Sequence, residues 1–282
     1  MPQWRPRTAA VFHYDDDNPE REQRHQRMIA SLGSSGATVQ ELVFTEASAV
    51  KSVHDNMELL RGFLLKANHI PIVLDMSVLT KRHLLMMLRW IDDVGFWDQL
   101  FVVYTQPETY EVSEFIPLSF GLRSFEQIPG FAACPDLSRP VHLVLFLGYE
   151  GDRALAAYEH VEPLRTTIVF TDPPFKPEWR GRAEFLNRDL LALLKSTDVQ
   201  KIDGIDPEES MRMLQMLFEQ RGSSRDFAKI ICPIGTKPQA LGTYLYVRRC
   251  KDPPAIVYAS PLRHNHRFFS KGAGPSWILK NP

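Results

Sequence analysis

Cysteine is scarce: Cys134, Cys232 and Cys250 are the three in 282 residues, too few and too scattered for a disulfide framework or a structural zinc site. They read as small buried hydrophobes in a reducing compartment. Long apolar runs are missing as well. Nowhere do about 18 apolar residues follow one another, and the N-terminal MPQWRPRTAAVFHYDDD has no apolar core of the kind a signal peptide needs. A cytoplasmic protein with no membrane association is expected. Neither charge is in surplus, since 33 Lys and Arg face 34 Asp and Glu. That balance removes the bulk positive field that draws nucleic acid, so any polyanion site must be local. What is present is 44% hydrophobic and 24% charged residues, the proportions of a chain that buries a core.

Short apolar runs bounded by turn residues alternate with stretches of helical periodicity. In the first half the strand candidates are TAAVFHY, TVQELVF, IPIVLDM and LFVVYTQ, and the spacing predicts helices over residues 20–32, 47–67 and 80–94. Leu84, Leu85, Leu88 and Ile91 form one apolar stripe of the last. From residue 107 to 140 five prolines and two glycines break this texture, which predicts a connector without regular parallel strands, packed on the body through its Phe and Tyr. The second half resumes with VHLVLFLGY, TTIVFTD, VQKIDGI, KIICPIG and AIVYASP, and with helices near 153–161, 183–194, 208–221 and 238–248. The expected fold is therefore α/β and Rossmann-like: a mostly parallel sheet with helices on both faces, built from halves 1–106 and 141–282.

In such a sheet, ligands lie beyond the carboxyl ends of the strands. Those ends carry Asp15, Asp16 and Asp17; Asp75 followed by Ser77; Gly148, Tyr149, Glu150 and Gly151; Asp172; and Gly235, Thr236 and Lys237. The last turn has the sharpest chemistry. Gly235 lets backbone amides approach an anion, a helix N-terminus follows at Pro238, Thr236 adds a hydroxyl and Lys237 a compact positive charge. Phosphate or a nucleotide is the ligand these groups suit. The alternative is a tight turn at Gly235 with Thr236 as a helix cap. A P-loop is excluded, because the order is G-T-K and the leading glycine is missing.

Gly235-Thr236-Lys237, between strand and helix in DFAKIICPIGTKPQALGTYLYV, resembles the G-T-K segment of CRISPR-associated Rossmann-fold ligand-binding domains, sensors of cyclic oligoadenylates and related nucleotides, a likeness confined to this short stretch. The resemblance implies a nucleotide sensor in antiviral defence, with Thr236 and Lys237 on phosphate or ribose. It does not extend upstream, where Cys232-Pro233-Ile234 replaces the family's Asn-x-Thr-Gly pattern. A second likeness lies in TTIVFTDPPF, whose Asp172-Pro173-Pro174-Phe175 is similar to the base-receiving loop of DNA amino methyltransferases. FLGYEG, residues 146–151, is similar to their cofactor loop, although here the two motifs occupy consecutive strands.

Several groups remain as candidates. Asp15, Asp17, Asp75 and Asp172 would suit Mg²⁺ and phosphoryl transfer or phosphoester hydrolysis, or else ordinary turn chemistry. Gly148, Glu150 and Arg153 could contact a ligand, or Glu150 and Arg153 could form a local ion pair. His264 and His266 alternate beside Arg263 and Arg267, without a third metal ligand. Lys271, Gly272 and Gly274 form a loop that could close over an anion. The Met-rich helix from Met211 to Phe218 reads as core or interface packing. The expected partners are a phosphate-bearing small molecule and a protein partner or a second copy, with membrane and nucleic acid disfavoured. A structural subunit of a larger assembly is the remaining alternative.

Overall fold

The computed structural model describes residues 6–15, 19–45, 49–67, 70–110, 118–131, 138–194, 199–219, 226–264, 270–280 and 282. Packing divides the chain into two units, residues 1–72 with 90–99, and residues 73–89 with 100–282. Strands and helices alternate as their apolar patterning predicts. Chain order runs β1 (Thr8–Asp15), α1 (Pro19–Ser34), β2 (Thr38–Thr45), α2 (Ala49–Ala67), β3 (Ile72–Asp75), α3 (Lys81–Asp93), β4 (Leu100–Thr105), β5 (Thr109–Tyr110), β6 (Ser119–Phe120) and β7 (Ser124–Gln127). It continues with β8 (Val141–Phe146), α4 (Gly151–Val161), β9 (Arg165–Thr171), α5 (Arg180–Leu186), α6 (Arg188–Leu193), β10 (Val199–Ile202), α7 (Pro207–Glu219) and β11 (Ala228–Pro233). The last elements are α8 (Lys237–Arg249), β12 (Ala255–Ser260), β13 (Arg263–His264), β14 (Ser270–Lys271) and β15 (Ser276–Lys280).

In the first unit, β1 and β2 pair in parallel from Thr8 opposite Thr38 to Asp15 opposite Thr45. Gly36, at φ 87°, ends α1 in a left-handed turn whose amides return to Gly33 and Leu32, a conformation that suits glycine. Val11, Leu42, Phe44, Leu60 and Leu64 are buried, and Phe12 stacks on Phe44 at 5.3 Å. His25 is the described residue of α1 that is fully buried, while Ile29 and Leu32 on the same face are half-buried.

The second unit carries a six-stranded sheet in the order β10-β9-β8-β11-β12-β7. Its first five strands are parallel. Numbered as they occur along the chain, these five read 3-2-1-4-5, so the order reverses between β8 and β11. β8, β9, β11 and β12 are buried almost without interruption, as strands covered on both faces must be. α4 packs on α6 while α7 packs on α8, as expected if right-handed crossovers put α4 to α6 on one face and α7 with α8 on the other. The sheet is nonetheless mixed. β7, from the proline-rich connector, adds antiparallel to β12 at the edge of the sheet, where four residues of extended chain suffice. The four early strands do not form one sheet either. β3 and β4 join β15 in a three-stranded sheet, while β13 pairs with β6 and β14 with β5. The SWILK strand lies beyond those that the apolar patterning predicts. No helix among the described residues is long and apolar enough to cross a membrane.

Two histidines of this unit sit in the fold uncharged. His142 is 1% exposed, shares a hydrogen bond of 2.9 Å with Thr167 Oγ1 and meets the Phe218 ring edge-on. Burial, then the nearby Arg165, lowers its pKa from 6.5 to about 4. His83, bonded to Thr80 Oγ1 at 2.7 Å, is lowered to about 3 by burial and by Arg82. With folded values below the unfolded one, the unfolded chain takes up more protons below pH 6.5, so acid favours unfolding. Tm is expected to fall steadily from pH 6.5 to about 5.5, above most of the range where carboxylates titrate, and to fall less steeply in His142→Gln. A flat profile over that interval would count against the buried neutral state.

Candidate ligand site at the strand ends

The reversal of strand order leaves the turns after β8 and β11 side by side, and both begin with a glycine in close packing. A Cβ on Gly148 would lie 3.2 Å from the Ile234 carbonyl oxygen, and one on Gly235 would lie 2.2 Å from Gln239 Oε1 and 3.1 Å from Phe146 Cβ. Neighbouring protein atoms therefore account for both glycines. Thr236 is the N-cap of α8 in a capping box with Gln239. Its amide donates to Gln239 Oε1 at 2.8 Å, its hydroxyl accepts from the Gln239 amide at 3.2 Å, and the same hydroxyl donates to the Gly204 carbonyl at 2.7 Å. The Gln239 side chain also donates to Thr171 Oγ1 at 3.2 Å. Pro238 has no amide hydrogen. The Lys237 amide is thus the one first-turn donor this network does not use.

That side chain is in unusual surroundings. Lys237 is half-buried, and loss of water around its ammonium, followed by repulsion from Lys81, lowers its pKa from 10.5 to about 8 against the opposing pull of Asp75 and Glu150. Lys81 opens α3, and Asp75 ends β3 in a turn where its Oδ1 accepts from the Ser77 amide and hydroxyl at 2.9 and 2.5 Å. Sequence alone does not single out Lys81. As the first residue of a helix after the Asp75-Met76-Ser77 turn it is legible as a strand-end cation, but only topology brings it to Lys237.

Glu150 and Arg153 form a local ion pair at the base of this region. Glu150 is 9% and Arg153 1% exposed. Glu150 accepts from Arg153 Nη1 through one carboxylate oxygen and from the Ser119 hydroxyl at 2.6 Å through the other. Arg153 Nε donates to the Ala259 carbonyl at 2.6 Å, and the guanidinium lies 5.0 Å from the Tyr258 ring centre. Tyr258 also acts on the guanidinium as a polar neighbour, while Nη2 has no hydrogen bond of normal geometry. Burial opposes the charge of Glu150, but Arg153, Lys81, Ser119 and His264 together hold its carboxyl below the usual range. Arg153 is correspondingly held charged by Glu150 against its own burial.

The remaining candidates are spread out. Asp172 precedes a cis bond to Pro173 and lies 4.0 Å from Lys201 Nζ. Neither it nor Asp75 belongs to a convergent group of three metal ligands among the described residues. Asp15 ends β1; Asp16, Asp17, Cys134, His266 and Arg267 lie outside the described residues. Tyr149 meets Trp179 edge-on and carries the Arg182 guanidinium 4.4 Å above its ring, so the FLGYEG turn is filled by its own neighbours. Gly274 donates to the Gln106 carbonyl at 2.8 Å, which sets the Lys271–Gly274 loop against residues 106–108. Met211 and Met213 are buried, in keeping with a packing role. Compared with protein-family models and with curated proteins, the chain matches none.

Proposed function

We infer that this chain binds a phosphate-bearing ligand, a nucleotide by class, at the strand ends flanking the β8–β11 reversal, and that it acts as a sensor. The observation that carries this reading is the electrostatic coupling of Lys237, just past the carboxyl end of β11, with Lys81, the first residue of α3, at the strand ends where open α/β sheets receive ligands. The 3-2-1-4-5 order is the reason for placing the fold in the Rossmann-like class. Burial and repulsion from Lys81 outweigh the pull of Asp75 and Glu150 on Lys237, and a bound anion would supply the missing counter-charge. Thr236, committed to its cap, serves to aim α8 and with it Lys237. Sensing is preferred to metal-dependent phosphoryl transfer because Asp172 is engaged with Lys201 and Asp75 with its own turn.

The test is calorimetric titration with ATP, a cyclic oligoadenylate and inorganic phosphate. At least one is expected to bind, and Lys237→Met to weaken it by about tenfold, roughly 1.4 kcal/mol. A ligand anion favours the protonated lysine, and in the free protein that proton is lost above about pH 8. Affinity should therefore hold below pH 8 and decline above it, by up to about tenfold per pH unit. Equal binding by Lys237→Met, or an affinity independent of pH between 7 and 9, removes the assigned site.

A further inference from the structure

The first unit holds a second constellation, independent of the strand-end lysines. His13 on β1, His25 on α1 and Glu41 on β2 each offer a ligand atom, and these three atoms lie within 4.8 Å of one another. The register explains their meeting. Val11 pairs with Glu41 and His13 with Val43, so side chains two residues apart along each strand share a face, and His13 and Glu41 stand diagonally on the same side of the ribbon. His25 comes down on them from the helix. It is 6% exposed and the described buried residue of α1, where an amphipathic helix ordinarily buries an aliphatic side chain. Its Nε2 lies 2.8 Å from Glu41 Oε2, and its ring meets that of His13 edge-on, with centres 4.4 Å apart. Glu22, one turn before His25, places Oε2 3.6 Å from His13 Nε2.

We propose that His13, His25 and Glu41 bind a divalent transition metal, zinc by preference, with Glu22 as the outer carboxylate that orients His13. Two imidazoles and a carboxylate are a donor set suited to zinc, which takes nitrogen and oxygen at about 2.0–2.2 Å and so needs ligand atoms about 3.4 Å apart in a tetrahedron. The contraction required is on the order of 1 Å, and the ligand with most freedom to supply it is Glu41, whose side chain is 47% exposed. Three protein ligands leave a fourth position for water or an exogenous group. The carboxylate beside His13 matches the outer partners that fix ligating imidazoles. Hard cations, which prefer all-oxygen shells, are not expected to compete.

The experiment is calorimetry of the full chain, free of any affinity tag and stripped with chelator, titrated with Zn²⁺ and, as a spectroscopic probe, with Co²⁺. One Zn²⁺ per chain is expected, with a cobalt visible spectrum of low coordination number and no displacement by Mg²⁺. His13→Ala and Glu41→Gln are the variants of choice, because their side chains are 20% and 47% exposed and neither anchors the core. Each should weaken Zn²⁺ by roughly tenfold or more while keeping the wild-type circular dichroism. His264→Ala controls for the histidines near the C-terminus and should bind as the wild type does. Absence of Zn²⁺ binding by the wild type overturns the proposal. So does undiminished binding by both His13→Ala and Glu41→Gln, or loss of binding in His264→Ala alone, which would place the metal elsewhere.

Discussion

Replacing Glu150 by alanine is expected to destabilise the protein by about 3–5 kcal/mol, the range for breaking a buried ion pair from one side. The magnitude comes from what is left behind. Arg153 is 1% exposed and would keep its charge with one bond to the Ala259 carbonyl and the face of Tyr258 for company. The Ser119 hydroxyl would lose its acceptor as well. A charged guanidinium cannot shed its proton at accessible pH, so the cost cannot be avoided by titration. Pairing Glu150→Ala with Arg153→Met should recover a large part of the loss, since an apolar pair of similar volume is often no less stable than a buried salt bridge. Urea unfolding of both single variants and the double variant closes the cycle. A loss below about 1 kcal/mol for Glu150→Ala, or no recovery in the double variant, would show that the pair is solvated in solution. The acid limb carries the same signature. Because its neighbours hold the Glu150 carboxyl below the usual range, its contribution is complete above that range and fades as pH falls through the folded value. Glu150→Ala should flatten that limb below pH 4.5.

The strands and helices are legible in the sequence because each has a local cause. Parallel strands buried on both faces must be continuously apolar, and VHLVLF, RTTIVFT and AIVYAS are so. Pairing has no such local cause. β1 pairs with β2 and β3 lies beside β4, but the first pair forms a sheet of its own while the second receives β15 from the far end of the chain, and nothing in TAAVFHYD or IVLD marks that difference. Thr236 lies between these cases. A Thr followed three residues later by Gln is a capping box in sequence, so its cap is readable, but its hydroxyl's second bond, to the carbonyl of Gly204, is not. The proposed metal ligands illustrate the limit most sharply. His13, His25 and Glu41 come from a strand, a helix and a second strand, and nothing in their spacing marks them. The one local hint is a histidine on the inward face of a helix, in line with Ile29 and Leu32.

Gly151→Ala is expected to cost about 3 kcal/mol or more, although alanine is the better helix former. A Cβ at this first residue of α4 would lie 1.6 Å from the Leu186 carbonyl oxygen and 2.6 Å from its carbon. Backbone cannot rotate away as a flexible side-chain tip can, so α4 and the end of α5 would have to part, which exceeds the usual 1–3 kcal/mol of overpacking. Gly62, within α2, is the matched control: nothing lies within 4 Å of the place a Cβ would take there, and Gly62→Ala should stabilise by roughly 0.5–1 kcal/mol. The comparison also decides what the GYEG turn is for. A glycine kept for a bound phosphate would tolerate alanine in the ligand-free protein and lose only affinity. A glycine kept for helix contact loses stability with no ligand present. Gly151 adjoins Glu150 and lies two residues before Arg153, so parting the helices would also disturb the ion pair. Gly151→Ala and Glu150→Ala should then combine less than additively in thermal melts of the ligand-free protein. Wild-type melting of Gly151→Ala would instead return this turn to the candidate ligand contacts.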